Sequence, residues 1–169
     1  LSHRPNKKLK DCVLCYSSTI TESDVINNKG SYPVYGAAGF ISNTSDYQIN
    51  QDAILIIKDG SGVGKVQFQS GKFSVIGTLN YLVKFDTINL NYLFFSMKYF
   101  NFEKYKVGSG IPHIYFKDYG EALIYCPTIE KQNTIEKLLT AIESKINIEK
   151  VLLVKYEKQK FYLQQNLFI

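Results

Sequence analysis

An α+β fold, with a mixed, twisted sheet followed by a long projecting helix, is what three features of this chain predict. Up to about Cys126 the sequence is dense in aromatic and β-branched residues broken by Gly and Asn; from Thr128 onward Gly disappears and Leu, Ile, Glu, Lys and Gln take over. Pro127 sits at the change. The length of 169 residues leaves room for one hydrophobic core, so a two-domain enzyme is not expected. The division read from this is residues 1–127 as the sheet-forming domain and 128–169 as the helix.

Each element follows from a local pattern. Thr21 or Ser23 offers a cap for a short helix ending before Gly30. Short strand-like runs follow at Tyr32–Tyr35, Phe40–Ser42, Ala53–Lys58, Lys65–Gln69, Phe73–Ile76 and Tyr81–Phe85. The stretch Asn89–Tyr99 has no Gly or Pro and carries Leu90, Leu93, Phe94 and Met97 at helical spacing, which predicts a buried helix. With thirteen Tyr and eleven Phe, stacking on single strands is conceivable in principle, but Phe94, Phe95, Tyr99 and Phe100 follow that helical spacing and read as core. A last strand runs through Ala122–Tyr125.

The carboxy-terminal part holds the clearest signal. Alternating steps of four and three from Ile135 meet Leu139, Ile142, Ile146, Glu149, Leu153, Tyr156, Lys160, Leu163 and Leu167, apolar everywhere except Glu149 and Lys160. That is a heptad seam. Thr128 after Pro127 is the expected N-cap, although Lys131 stands where a capping box needs Glu or Gln. About 35 residues at helical rise make a rod of about 50 Å, longer than a small domain is wide. Part of it must project, and its seam needs a second helix to cover it.

Charge and cysteine content narrow the classes further. Twenty Lys+Arg against fifteen Asp+Glu give a net charge of +5, a basic excess that favours a polyanionic partner. No run reaches the ~18 apolar residues of a membrane span, and LSHRPNKKLK lacks the apolar stretch of a signal peptide, so the cytoplasm is the expected compartment. Three cysteines do not make a disulfide framework. Cys12 and Cys15 form a lone CxxC, with His3, His113 and Cys126 as the other soft ligands; without a second pair, burial of single thiols outweighs zinc, and no metal or cofactor is expected. The start at Leu1 in place of Met is consistent with a piece of a longer chain.

The remaining motifs point to binding rather than catalysis. DGSGVGKV at Asp59–Val66 departs from a P-loop at both ends, with Asp first and Val last, and strand residues follow it instead of a helix. It reads as a Gly-rich hairpin. Lys58, Lys65, Gln67, Gln69 and Lys72 lie on and around it, long donors suited to phosphates and base edges. Lys106, Ser109 and His113 belong to a second turn constrained by Gly108, Gly110 and Pro112. No carboxylate is evidently placed to orient His113, so acyl transfer by Ser109 is not expected. The alternative reading of the hairpin is a solvated turn with ordinary surface lysines, and that of the second turn is a rigid structural turn.

Four strings then fall in a consistent order: GSYPVYGAAGFIS, AILIIKDGSGVGKV, VGSGIPHIYFKDYGEALIYCPTIEKQNTIEKLLTAIESKI and LLVKYEKQKFYLQQNLF. The chain resembles the DNA-specificity (S) subunits of type I restriction-modification systems, from about Leu9 to Phe168. The match places the YPVYG-x-x-G motif at Tyr32–Gly39, the Gly-rich hairpin at Gly60–Gly64 and the Pro-x-x-x-x-Gln helix opening at Pro127–Gln132. Cys126 stands where many relatives have another Pro.

The resemblance implies a target-recognition domain and a dimerising spacer helix, a unit that full subunits repeat twice, with the two helices antiparallel. Only one unit is present, so this is a half-length subunit or half of a longer one. It also implies double-stranded DNA as partner, a bipartite target, and separate adenine-methyltransferase (modification) and restriction subunits that supply the chemistry. On this reading the chain is not itself an enzyme. The expected contacts to DNA are Lys58, Lys65, Gln67, Gln69, Lys72, Lys106, Ser109 and His113. The expected seam is Ile135, Leu139, Ile142, Ile146, Leu153, Tyr156, Leu163 and Leu167. A stand-alone DNA-binding regulator or decoy, a small metal-dependent nuclease and a structural coiled-coil adaptor are the competing classes.

Overall fold

The computed structural model describes residues 4–168. Strands β1 (Lys7–Lys8), β2 (Val13–Ser17), β3 (Tyr32–Gly36), β4 (Gly39–Thr44) and β5 (Ile49–Asn50) are interrupted by the one-turn helix α1 (Glu22–Val25). Strands β6 (Ala53–Ile57), β7 (Val66–Gln69), β8 (Lys72–Val75) and β9 (Leu79–Lys84) follow. Then come α2 (Leu90–Lys98), α3 (Phe116–Tyr119), β10 (Leu123–Ile124) and α4 (Ile129–Leu167). The fold is α+β.

Among the described residues the strands make two four-stranded sheets, β2-β9-β6-β7 and β4-β3-β8-β5, and a two-stranded ribbon β1-β10. The first sheet is antiparallel throughout, whereas β3 and β8 pair in parallel in the second. The chain crosses from one sheet to the other at Ser70-Gly71, where Gly71 takes a φ of +80°. Every residue of β6 is buried. Ile54 and Ile56 join Leu82, Leu93, Met97, Phe102 and Tyr119 under α2, while Ala53, Leu55 and Ile57 meet Phe73, Val75 and Leu79 of the second sheet. That double coverage is why β6 reads as an unbroken apolar run and not as an alternation.

Helix caps settle the choice between Thr21 and Ser23 and show what opens α2. Thr21, not Ser23, opens α1: its backbone N–H donates to Asp24 Oδ2 at 2.7 Å, the reciprocal half of a capping box. Asn89 caps α2, its Oδ1 accepting from the Tyr92 N–H at 2.9 Å. Because α2 ends at Lys98, Tyr99 falls past the helix and is exposed, whereas Phe95 is buried as expected of its face. Strand β2 was not evident from the sequence, since Val13 and Leu14 are both apolar and the alternation that marks a half-buried strand is missing.

Helix α4 has 39 residues, so it is about 58 Å long. The most deeply buried fastening of its root is a single side chain. Gln132, 1% exposed, accepts the Asn89 N–H on Oε1 at 2.9 Å and donates from Nε2 to the Pro127 carbonyl at 2.8 Å. Asn89 Nδ2 donates to Asn133 Oδ1 at 2.7 Å, and one helical segment further on Lys98 pairs with Glu143. The Thr128 side chain makes no cap hydrogen bond, so Gln132 supplies the fixation that the capping box lacks.

Candidate nucleic-acid interface

Strand β6 delivers the chain into a tight turn and β7 carries it back. The Ile57 N–H donates to the Lys65 carbonyl at 3.0 Å, the Gly64 N–H to the Ile57 carbonyl at 2.9 Å and the Val63 N–H to the Gly60 carbonyl at 3.2 Å. Gly64 has a φ of +89°, and a Cβ there would lie 2.7 Å from the Cβ of Phe102. Only glycine fits that approach.

The second turn is closed by Val107 and His113, whose backbones exchange hydrogen bonds of 2.9 and 2.8 Å. Gly108, at φ +91°, would set a Cβ 2.6 Å from the Ile111 carbonyl oxygen. The two turns are joined to each other. The Gly60 N–H donates to the Pro112 carbonyl at 2.9 Å, the Ile114 N–H donates to the Lys58 carbonyl at 2.9 Å, and His113 Nδ1 lies 2.7 Å from Asp59 Oδ1. The carboxylate that orients His113, which its own turn does not supply, is Asp59, 54 positions away and brought over by the pairing of the turns. That contact adds a side-chain link to the backbone hydrogen bonds that join the two turns. Ser109, Gly110 and Ile111 stand out at the tip of the second turn, Ile111 with 64% of its surface exposed.

The other candidate residues divide. Lys58 and Lys65 flank the Gly-rich turn, and neither has an ion-pair partner among the described residues. Lys65 also lines an open cleft of about 600 Å³ between this turn and the segment after α2, with Gly64, Lys98, Phe100, Phe102 and Lys106. Lys106 is paired with Glu103 at 2.6 Å. Gln67 and Gln69 are half-buried on β7, opposite Leu55 and Ala53. Lys72 begins β8 in the second sheet, its Nζ 4.7 Å from the Tyr47 ring centre and 5.8 Å from that of Tyr32. The single cluster suggested by the sequence is therefore split: Lys58 and Lys65 sit with His113 and Ser109, while Gln69 lies at the far end of β7 and Lys72 across the sheet crossing.

Cys12 and Cys15 are free thiols that face different partners. Cys15 Sγ is hydrogen-bonded with Tyr119, and burial pushes its thiol up to about 11. Cys12 Sγ lies 4.0 Å from Cys126 Sγ. Among the described residues no three His, Cys, Asp or Glu side chains gather as metal ligands, and His3 lies outside the described residues.

On α4 the seam has two regimes. Gln132, Leu139 and Glu143 share one face, and Ile135 and Leu139 are half-buried between the fastenings at Asn89 and Lys98. These two seam positions are partly covered by the chain's own α2. Ile142, Ile146, Leu153, Tyr156, Leu163 and Leu167 are exposed. Ile148, Val151 and Leu152 are exposed too, on the side away from the seam, a second apolar stripe that the heptad count passed over.

The type I restriction modification DNA specificity domain family matches residues 6–158, which takes in both turns and most of α4. The chain belongs to this family. Its fold is also that of solved S subunits. The specificity domain superposes on the type I restriction-modification S subunit from M. genitalium with a TM-score of 0.72 and 18% identity, over 96% of this chain and 45% of that one. A chain from a structure of type I R-M complex assembly and conformational transition gives 0.74 and 18%, over 94% and 43%. The HsdS subunit from Thermoanaerobacter tengcongensis gives 0.65 and 18%, over 86% and 39%. The specificity domain thus spans less than half the length of each. No curated protein matches its sequence. No described helix is long and apolar enough to cross a membrane.

Proposed function

We propose that this specificity domain reads one half of a bipartite site on double-stranded DNA through the platform made by its two turns. The observation that carries the reading is the joining of those turns into one surface, within a family of DNA specificity domains, with Lys58 and Lys65 beside it and without ion-pair partners among the described residues. Lys58 and Lys65 set register on phosphates, and Ser109 and Gln67 address base edges in the major groove. His113, held by Asp59, positions the tip. Lys106, Gln69 and Lys72 contribute less, since Glu103 and two tyrosine rings already engage the two lysines and Gln69 lies far from the turn.

Residues 128–169 act as the spacer arm in this proposal. The exposed seam from Ile142 to Leu167 pairs antiparallel with the same helix of a second unit and holds two platforms apart on the duplex. Two-fold pairing of identical chains favours a palindromic bipartite target. Adenine-methyltransferase subunits, and the restriction subunit beyond them, dock on the assembly in the cytoplasm and supply catalysis.

The test is selection of duplexes from a random pool, followed by titration of the selected and a scrambled duplex at several salt concentrations. The wild-type chain should prefer the selected duplex, and Lys65→Ala should weaken both and lower the salt slope by about one. Equal affinity for all duplexes would sink the proposal. Co-purification with a modification subunit separates it from a stand-alone regulator, and metal-dependent cleavage by the chain alone would make it a nuclease.

A further inference from the structure

We infer that Cys12 and Cys126 form a redox dithiol, which one hydroperoxide converts into a disulfide stapling the amino-terminal segment to the root of α4. The two sulfurs are already 4.0 Å apart, about 2 Å beyond bonding distance, a gap that side-chain rotation can close where the backbones permit. Both backbones are tied into the same small region. Asn6 clamps Cys126 from two sides, donating from Nδ2 to its carbonyl at 3.0 Å and accepting its N–H on Oδ1 at 2.7 Å. Lys7 and Lys8 pair with Ile124 and Leu123, and the Cys12 N–H donates to the Leu9 carbonyl at 2.9 Å. Cys15 is turned to Tyr119, so Cys126 is the thiol within reach of Cys12.

The surroundings assign different roles to the two sulfurs. Cys12 is completely buried, and burial together with the neighbouring Cys126 raises its thiol to about 12. Cys126 is half-buried and the more accessible of the two, with Gln132 Nε2 at 3.6 Å from its sulfur. Cys126 therefore meets the oxidant. Its thiolate attacks one peroxide oxygen; the S–O bond forms, the O–O bond breaks, and the leaving oxygen departs as water or alcohol after taking a proton. The Cys12 sulfur then attacks the sulfenic sulfur. The S–S bond forms, the S–O bond breaks, and the departing hydroxide takes the Cys12 proton as water. Two thiols and one hydroperoxide give one disulfide. The staple would close a span of 114 positions and fix the helix root independently of Gln132.

The test needs neither DNA nor a partner. The purified chain is treated with hydrogen peroxide, alkylated, digested without reduction and mapped by mass spectrometry. The expected product is a linked Cys12–Cys126 peptide with Cys15 alkylated, and a melting temperature raised by about 5 °C or more that dithiothreitol reverses. Cys15→Ser should retain both effects and Cys126→Ser should lose both. The inference is overturned if Cys126 proceeds to sulfinic acid while Cys12 stays alkylatable, if the linked peptide contains Cys15 or joins two chains, or if peroxide and then diamide leave all three thiols intact. None of these outcomes bears on DNA recognition.

Discussion

Replacing Gln132 by Ala tests how the spacer helix is held. The side chain is 1% exposed and makes two short hydrogen bonds, to the Asn89 N–H at 2.9 Å and the Pro127 carbonyl at 2.8 Å. Its removal leaves both groups unpaired in a half-buried junction, at about 1–3 kcal/mol for each orphaned group, and the missing methylene and amide leave a void. Partial access of water to Asn89 trims the total to about 2–4 kcal/mol, against a whole-protein stability of about 5–15 kcal/mol. With an m-value of about 2 kcal/mol/M the urea midpoint should fall by about 1–2 M. Gln132→Glu separates the two bonds, because a carboxylate still accepts from Asn89 but has no N–H for Pro127. Amide exchange at Asn89 and in the first turn of α4 should speed up in both variants. A midpoint shift worth less than about 0.5 kcal/mol would refute the assignment of Gln132 as the fastening.

Three further outcomes follow from the same geometry. Gly64→Ala should cost about 2–3 kcal/mol by urea unfolding, since it combines a φ of +89° with a contact at 2.7 Å, whereas Gly71→Ala, at φ +80° with open space, should cost about 1 kcal/mol; equal costs would contradict the role of Phe102. Lys10 and then Lys8 hold Glu121 below its ordinary value of 4.5, so this carboxylate adds stability above that pH and loses it as pH falls through the lowered value. Glu121→Gln should flatten the acid limb of melting temperature against pH below about 4.5, and an unchanged limb would dismiss the pair. Ile142→Asp or Ile146→Asp should abolish self-association in sedimentation, because a charge placed in an apolar seam is left unpaired; an unchanged assembly would move the interface elsewhere.

Local rules carried the sequence reading as far as they reach. Runs such as Ala53–Ile57 and Phe73–Val75 declare strands by composition, Asn89 followed by Leu90, Leu93 and Met97 declares α2 by period, and the seam of α4 declares itself over eight apolar stations. Long-range contacts were out of reach. Nothing near His113 in the chain points to Asp59, and the division between Lys65 and Lys72 depends on a change of sheet at Gly71 that spacing does not encode. Gln132 was visible only as a family motif letter; its reason, a buried amide bridging two helices and a proline carbonyl, exists only in three dimensions.

The attachment of α4 near its base makes the helix a lever. From Glu143, which pairs with Lys98 of the body, to Leu167 it runs about 36 Å, so a tilt of about 10° at the base swings the far end by about 6 Å, more than one base-pair rise. Distance along a duplex would then be set as much by the stiffness of a joint a few residues wide as by the number of residues in the rod.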